Sequence, residues 1–431
     1  MNIRFSYQSL FNTLCKWVLL GGLVGVIIGS TTALLLNVND FLGNTRENNS
    51  WLIYFLPLAG IVIGFIYMNF GKSNGSDSAK SNNLVIDSVH GNKRMLRRTG
   101  LLVYLGTFIT ILFGGSTGRE GAAIQMGGSV AQSVNKWFNV SNLDTKLILM
   151  CGISAGFGAA FGTPITGTVF GMEMVALGKL KYKALVPCLV ASFIGHYVTE
   201  GIWRVEHEKF IVESVPKISA LSFTKVIVLA IIFSLVSVLY SQLRHGTERV
   251  SENYLKKNHM LRAFIGGAII VVLTKLIGTE DYNGRGLDML GQSFKEDVPT
   301  YAFLAKLVFT AITMGTGFVG GEAIPLFFIG ATLGNTLHDF FHLPMSFLAA
   351  IGMIATFSGG ANTPIAAFLL AVEMFEGKGI EYFFVASLIS YIFSGHHGLW
   401  PSQTIYEPKS RLFHIADGET IENVEKKKKG N

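Results

Sequence analysis

Two glutamates stand inside apolar, glycine-rich stretches of this sequence, where a carboxylate is costly. Glu120 lies in Gly-Gly-Ser-Thr-Gly-Arg-Glu-Gly, residues 114–121, and Glu322 lies in a similar stretch, residues 315–330. A charged side chain near the centre of a bilayer costs about 2.5–3.5 kcal/mol even on the gentler insertion scales. Each of these two side chains must therefore line a hydrated cavity, pair with a cation or hold a proton.

The glycines around Glu120 allow backbone N–H groups to converge at a helix start, where the helix dipole favours an anion. A carboxylate at such a place occupies an anion site when it is ionised and leaves the site when it is protonated. That exchange would couple the movement of anions to the movement of protons. The alternative for Glu120 is a local ion pair with Arg119, its neighbour in the sequence.

The stretch around Glu322 has the same construction. Pro325 suits the first position of a helix, which leaves the N–H groups around Glu322–Ile324 to point at a ligand. Glu322 is then a second ionisable group in an apolar run. Its alternative role is a cap that satisfies the N–H groups of its own helix.

Other polar residues carry weaker signals. Glu173 and Glu373 stand at matching points near the polar ends of two apolar units, where we expect structural carboxylates at helix ends. His396 and His397 are adjacent, so they do not share a helix face, and nearby residues do not complete a metal site. There is no Walker A loop or dinucleotide fingerprint. We therefore expect no metal or cofactor, and energy from an ion gradient or passive flow.

The elements that must position these residues are membrane helices. Of the 431 residues, 50% are hydrophobic and 15% are charged, whereas soluble domains have roughly 25% charged residues. Such a chain cannot cover a soluble surface with polar groups, which excludes a cytosolic enzyme. The net charge of +7 does not indicate nucleic acid, because the basic residues gather in short loops and in a tail, as the positive-inside rule predicts for a membrane protein.

Several apolar runs are too short to cross a bilayer and begin or end at glycine or proline. Such runs indicate helices that stop inside the membrane. No stretch alternates with the period of a barrel strand, so the predicted fold class is all-α and polytopic. Residues 17–36 form the first retained helix, since they are long for a signal peptide and lack a clear cleavage site.

Loop charges predict the orientation. Basic residues dominate the segments 71–98, 179–183 and 244–262, which we place inside, whereas acidic residues dominate 279–300, which we place outside. We expect residues 1–11 to be a cytoplasmic N-terminus and residues 411–431 to be a solvated, basic cytoplasmic tail. Between them, residues 12–410 form the transmembrane domain.

An internal repeat divides that domain. Gly-Thr-Pro-Ile at 162–165 matches Asn-Thr-Pro-Ile at 362–365, and Gly118–Gly121 matches the stretch that begins at Gly321. The first unit follows a loop predicted to be inside and the second follows a loop predicted to be outside. The two halves, near 40–200 and 220–400, thus form an inverted-topology repeat, whose binding site usually lies where broken helices meet near the midplane.

The unit Gly118-Arg119-Glu120-Gly121, the Gly-Gly-x-x-x-Pro unit at 320–325 and the inverted repeat together resemble the CLC family of anion channels and anion/proton antiporters. The resemblance covers roughly residues 12–410. It implies the CLC-type fold, with many tilted and partial helices, and a homodimer with one pore in each subunit. It also implies that Glu120 matches the external gating glutamate of the family.

Departures from the chloride-handling members resemble the fluoride/proton antiporter branch. The Gly-Ser-Gly-Ile-Pro-Glu element of the chloride members is absent, and residues 80–87 take its place without a proline. Met174 stands at the position of the inner proton-pathway glutamate. Glu322 fills a position that is typically apolar in the chloride branch.

By this resemblance Asn82, or alternatively Asn83, is the central side-chain ligand of the anion. The central tyrosine of the family falls at Trp400, with Tyr406 as the alternative. Fluoride is small and strongly hydrated, so a binding site must replace its hydration shell with strong hydrogen-bond donors. An Asn amide, backbone N–H groups and a protonated Glu322 are such donors. The predicted anion site comprises Asn82, Gly118, Arg119, Gly121, Ala323, Ile324 and Trp400, with Glu120 and Glu322 as the groups that carry protons.

Our hypothesis is a fluoride/proton antiporter, not an enzyme, that exports fluoride across a bacterial plasma (inner) membrane. Its partners are fluoride or chloride ions, protons, membrane lipid and a second copy of the chain. The main alternative is a chloride/proton antiporter or chloride channel of the same family. A membrane enzyme or receptor-like scaffold would need polar residues clustered at one face or a large extramembrane domain, and neither is visible in the sequence.

Overall fold

The computed structural model describes residues 7–71, 82–93, 95–138, 140–255, 258–412 and 415–430. Within these ranges the elements are helices apart from three strands of two residues each. This architecture confirms the all-α class. The first six residues of the predicted N-terminal segment and much of the 71–98 loop lie outside the described ranges.

The helices of the described ranges follow one another along the whole chain. They are α1 (Tyr7–Glu47), α2 (Leu56–Phe70), α3 (Asn83–His90), α4 (Arg97–Leu112), α5 (Glu120–Phe138), α6 (Asn142–Phe161), α7 (Pro164–Glu173), α8 (Leu185–His196), α9 (Ala220–Leu255), α10 (His259–Ile277), α11 (Leu287–Gln292), α12 (Ala302–Gly315), α13 (Ala323–Phe341), α14 (Met345–Ala361), α15 (Pro364–Met374), α16 (Ile380–Phe393) and α17 (Ile421–Gly430). Short 3₁₀ turns precede α2 and α8, and a π-helical turn (Tyr197–Ile202) continues α8.

Six helical segments within the described ranges are long and apolar enough to cross a membrane: Tyr7–Glu47, Ser50–Phe70, Leu143–Phe161, Tyr182–Ile202, Ala220–Leu255 and His259–Ile277. Other helices are too short to cross, among them α7 and α15 with 10 and 11 residues. A short helix exposes unpaired N–H and C=O groups at its ends, which a bilayer tolerates only where protein or a cavity surrounds them. The partial helices predicted from the glycine and proline breaks are thus present.

Two faces of the molecule can be distinguished by their loops. Residues 203–219, which connect α8 to α9, contact the 279–300 segment through Glu208 and Arg285. We call this side the outer face, and the side at which α8 begins and α9 ends the inner face. The loop charges predict that the outer face lies outside the cell.

Glycine pairs at equivalent positions allow close helix crossings in both halves. Gly127 on α5 lies against Gly152 on α6, and Gly330 on α13 lies against Gly352 on α14. A methyl group at any of these positions would overlap the backbone of the partner helix. Close approach of helices through small residues is the main way in which membrane helices pack. The two crossings lie at equivalent positions of the predicted repeat.

The two predicted halves also exchange reciprocal contacts. The Glu373 carboxylate accepts the backbone N–H groups of Ile165 and Thr166 at the start of α7. In return, Glu173 accepts N–H groups at the start of α15, including that of Ile365 at 3.1 Å. Each glutamate therefore caps the helix of the other half, which is a structural role.

The C-terminal segment packs against the inner face. Strands β1 (Ala176–Leu177), β2 (Thr404–Ile405) and β3 (Glu419–Thr420) form a small sheet, and Ile421 and Val424 of α17 are buried against it. The expectation of a solvated tail therefore does not describe residues 419–424. The apolar side chains of this segment, spaced three apart, explain why it docks.

Candidate functional site

Glu120 is the first residue of α5 and is 2% exposed. Its carboxylate lies in a cradle of glycines, because a methyl group at Gly118 or at Gly321 would overlap its oxygens. The same two glycines are joined by a pair of backbone hydrogen bonds, each 2.8 Å long. They are equivalent residues of the two repeats, so Glu120 lies where the two halves meet.

Backbone N–H groups from both halves surround the Glu120 carboxylate. Oε1 accepts the N–H of Arg119 at 3.1 Å, and the N–H groups of Glu120 and of Ile324, at the start of α13, lie close by. Oε2 is buried without a hydrogen-bond partner among the described residues. The starts of two helices thus surround the carboxylate, an arrangement that favours a negative charge.

Arg119 does not pair with Glu120. Its guanidinium is 1% exposed and donates to Asp40 at 2.6 Å and to Glu208 at 3.1 Å. Arg285 contacts the same two carboxylates. We call Arg119, Asp40, Glu208 and Arg285 the outer ion-pair network. The local ion pair considered as the alternative for Glu120 is therefore absent, and Arg119 presents its backbone rather than its charge to the site.

The two candidate asparagines differ in what they contact. Asn82 precedes α3, is buried, and has its Nδ2 near Gly121, the second residue of α5. Its Oδ1 is buried without a hydrogen-bond partner among the described residues. The Oδ1 of Asn83 accepts the backbone N–H of Ser402 at 3.1 Å. Of the two, Asn82 lies nearer to the glutamate cradle.

Glu322 precedes α13 but does not cap it. Its Oε1 instead accepts from Nε of Arg244 at 3.0 Å and from the hydroxyl of Tyr240 at 3.3 Å. The capping role considered for Glu322 is therefore absent. In this conformation the carboxylate accepts these hydrogen bonds, whereas the sequence analysis anticipated a protonated Glu322 that donates.

Arg244 is the site residue that the sequence analysis missed, because it was assigned to a basic inner loop. It is 5% exposed on α9 and also donates to Glu248 at 2.6 Å. The spacing of Tyr240, Arg244 and Glu248, four residues apart, places all three on one helix face. That polar stripe at the end of an apolar run is the sequence signal that indicates a buried ion pair.

A cavity of about 730 Å³ leads from the inner face toward this ion pair. Arg244, His245 and Glu248 line one side of it, and Asn83 and Ser402 line another. The cavity thus connects the inner face with Arg244, which contacts Glu322. We call it the inner vestibule.

The start of α13 and the two candidate aromatic residues complete the predicted set. Ala323 and Ile324 are the first two residues of α13, and Pro325 is the third rather than the first, still within the turn whose N–H groups lack partners in the helix. Trp400 is buried edge-on against Phe170, with ring centroids 5.9 Å apart. Tyr406 lies at the inner face, with the Lys179 ammonium 4.5 Å from the centre of its ring.

This chain is similar to known proteins over most of its length. Residues 59–395 match the sequence model of the family described as voltage gated chloride channel. The chloride/fluoride channel protein of Pseudomonas syringae pv. tomato is 38% identical over 403 residues, which cover 92% of this chain and 88% of that protein. The H(+)/Cl(-) exchange transporter of Cronobacter sakazakii is 26% identical, over 75% of this chain and 72% of its own length.

Solved structures show the same fold. The crystal structure of a CLC-type fluoride/proton antiporter superimposes with a TM-score of 0.86 at 29% identity, covering 93% of this chain and all of that one. A slow cyanobacterial Cl⁻/H⁺ antiporter superimposes with a TM-score of 0.78 at 18% identity, covering 96% of this chain and 98% of that one. At such low identity the second likeness concerns the fold alone.

Proposed function

Because the chain belongs to the voltage-gated chloride channel (CLC) family, we propose that it is a fluoride/proton antiporter that exports fluoride in exchange for protons. The observation that carries this proposal is the buried Glu120 carboxylate, which occupies an anion site formed by helix starts of both repeats. A group that is both an occupant of the site and a proton acceptor can link the two ion movements.

The exchange follows from the contacts of Glu120. When ionised, its carboxylate takes the N–H groups that an anion would use. When a proton neutralises it, its attraction to the helix starts falls, and an anion displaces it. Proton uptake and anion occupancy therefore alternate, and Glu120 is the group that carries the proton.

Fluoride requires donors strong enough to replace its hydration. Asn82 offers an amide beside Gly121, and Gly121, Ala323 and Ile324 would contribute the first N–H groups of α5 and α13. Compact N–H and amide donors suit a small anion that accepts strong hydrogen bonds. The 38% identical relative that carries fluoride in its name and the superimposed fluoride/proton antiporter support this preference.

Glu322 serves as a second proton or fluoride ligand on the inner side. Its pairing with Arg244 beside the inner vestibule supports a role at the end of the path that opens to the inner face. Trp400, in the segment that follows α16, is the last residue of the predicted anion path.

The protein acts, in this proposal, as a homodimer in a bacterial plasma membrane. The bacterial relative and the six apolar helices long enough to cross a bilayer support the location. Exposed apolar side chains along α8, such as Leu189 and Phe193, are suited to contact either lipid or a second subunit. Light scattering of the purified protein measures whether it is a monomer or a dimer.

The first test is ion efflux from liposomes that contain the purified protein, with fluoride, chloride and pH recorded in the same cell. We expect fluoride efflux with proton uptake and little chloride movement. Chloride efflux at a comparable rate would overturn the fluoride preference and favour the alternative, a chloride/proton antiporter. Chloride efflux without proton movement would favour a chloride channel.

Substitution of Glu120 tests the coupling. In Glu120→Ala we expect anion flux to continue while proton uptake falls at least about tenfold, because no carboxylate alternates with the anion. Glu381→Gln, a change at an exposed glutamate on α16, is the control and should keep the parent coupling. Proton uptake at the parent rate in Glu120→Ala would contradict the mechanism.

The neighbouring asparagines supply a matched pair for the ligand assignment. Asn82→Ala should reduce the fluoride-over-chloride ratio, whereas Asn83→Ala should leave that ratio unchanged. The assignment is wrong if Asn83→Ala alone changes the ratio.

A further inference from the structure

Three side chains with metal-binding atoms converge at the outer face, away from the anion site. They are His196 at the end of α8, Glu200 in the π-helical turn, and His207 in the segment that follows it. One ligand atom from each lies within 4.8 Å of the other two. Nε2 of His196 is 3.0 Å from a carboxylate oxygen of Glu200.

The imidazole nitrogens of this cluster lack other partners. Both ring nitrogens of His207 and Nδ1 of His196 are buried without a hydrogen-bond partner among the described residues. A buried polar atom without a partner is costly. Unpartnered nitrogens on both rings, beside one carboxylate, indicate a place for a ligand that completes their coordination.

The local fold holds the cluster in place. His196 and Glu200 are four residues apart, so they share one face of the helix. The His207 ring packs on Gly162, whose backbone has φ of 72°, and a methyl group there would overlap the ring.

We propose that His196, Glu200 and His207 bind a divalent transition-metal ion such as zinc at the outer face. Two imidazoles and a carboxylate are a ligand set that zinc takes, with a water in the fourth position. Calcium and magnesium prefer oxygen ligands and do not suit it. Zinc–nitrogen bonds of about 2.0–2.1 Å require the ligand atoms to approach further, and the side chain of Glu200, 55% exposed, is free to move toward the rings.

This site departs from the sequence analysis, which expected no metal because it weighed only His396 and His397. The cluster combines a helix end with a loop, and sequence spacing reveals the His196–Glu200 pair but not His207. The site is also connected to the outer ion-pair network, because Glu208, the residue after His207, accepts from Arg119. A bound metal would therefore fix the segment that holds one end of that network.

Zinc binding to the purified full-length protein tests the proposal, with isothermal titration calorimetry as the readout. We expect roughly one zinc ion per chain and no binding of magnesium under the same conditions. His196→Gln and His207→Gln should each weaken zinc binding at least about tenfold, because loss of even outer-shell support costs that much. The measurement involves no transport, so its failure is distinguishable from failure of the proposed antiport.

His342→Asn is the matched control. His342 is an exposed histidine at the C-terminal end of α13, on the outer face, where Lys225 near the start of α9 contacts Phe341. Its φ of 49° is one that asparagine adopts readily. Zinc affinity should be unchanged in this variant. An equal loss of affinity in His342→Asn, or unchanged affinity in His207→Gln, would overturn the proposal.

A second variant and a second measurement distinguish a misfolded protein from one that has only lost a metal ligand. Glu200→Gln alters an exposed side chain and should weaken zinc binding while leaving metal-free thermal unfolding at the parent temperature. In the parent protein, zinc should raise the unfolding temperature, since a ligand that binds only the folded state stabilises it. Zinc that binds Glu200→Gln as tightly as the parent would contradict the role of the carboxylate.

Discussion

Arg119 and Glu322 occupy equivalent positions of the two repeats, since each directly follows one of the two paired glycines, Gly118 and Gly321. Their side chains leave the centre toward opposite faces. Arg119 joins the outer ion-pair network, whereas Glu322 pairs with Arg244 beside the inner vestibule. The same backbone position thus anchors an ion pair on each side, with the signs of the charges exchanged.

Removal of one partner from the inner ion pair should be more damaging than removal of both. Arg244→Met leaves Glu322 buried without its cation, and we expect a loss of about 3–5 kcal/mol in the free energy of unfolding. Arg244→Met combined with Glu322→Gln should recover part of that loss. A double-mutant cycle on unfolding of the purified protein measures the difference.

Arg249→Met provides the control for this cycle. Arg249 lies on the same helix but its side chain is 50% exposed, and it is 3.9 Å from Glu425. Its substitution should change stability by less than about 1 kcal/mol. Equal effects of Arg244→Met and Arg249→Met would show that burial of the arginine does not determine the loss in the free energy of unfolding.

At the scale of elements, glycine positions determine how closely the helices approach. The α5–α6 crossing at Gly127 and Gly152 recurs as the α13–α14 crossing at Gly330 and Gly352. Both crossings support the helices whose starts form the anion site. A shift of either pair would therefore move the N–H groups that surround Glu120.

Gly330→Ala should destabilise the protein and reduce anion transport. The added methyl group would overlap the Gly352 backbone. Because the overlapped atoms belong to the backbone, a side-chain rotation cannot relieve the overlap. Overpacking of this kind costs about 1–3 kcal/mol. Thermal unfolding together with liposome efflux measures both effects.

Gly246→Ala is the matched control within α9. A methyl group at Gly246 meets no atom within 4 Å, so the substitution should be neutral or stabilising by about 0.5–1 kcal/mol. A stability loss in Gly246→Ala as large as in Gly330→Ala would show that the close crossing does not explain the loss in Gly330→Ala.

At the scale of the whole molecule, the loops divide into two chemically different faces. Acidic and basic residues of distant segments meet at the outer face, as Arg46 does with Glu280 at 2.5 Å. At the inner face, the C-terminal segment covers β1 and β2. The positive-inside rule assigns the inner face to the cytoplasm.

Cysteine labelling in intact cells should test this orientation. Glu206→Cys, in the exposed outer segment, should react with a membrane-impermeant maleimide, whereas Glu422→Cys, exposed on α17, should react only after the cells are permeabilised. Labelling of the parent protein through Cys15, Cys151 or Cys188 is the background to subtract. The reverse labelling pattern would show that the orientation predicted from the loop charges is wrong.

The sequence by itself determined the all-α class and the helix starts at which Glu120 and Glu322 stand. The reason is that a bilayer requires every backbone group to be satisfied locally, so that apolar runs must be helices and their glycine and proline breaks must be helix ends. Glu120 at the start of α5 and Glu322 at the start of α13 follow from those local rules. The fluoride preference and the roles of individual ligands remain predictions.

Only the tertiary structure decided which groups those residues meet. The partner of Glu322 lies 78 residues away on α9, Arg119 reaches Asp40 and Glu208 rather than Glu120, and His207 approaches His196 from a loop. Burial makes such contacts strong, because a charge removed from water must find a partner. No local pattern fixes that partner, since helix packing across the two repeats brings distant segments together.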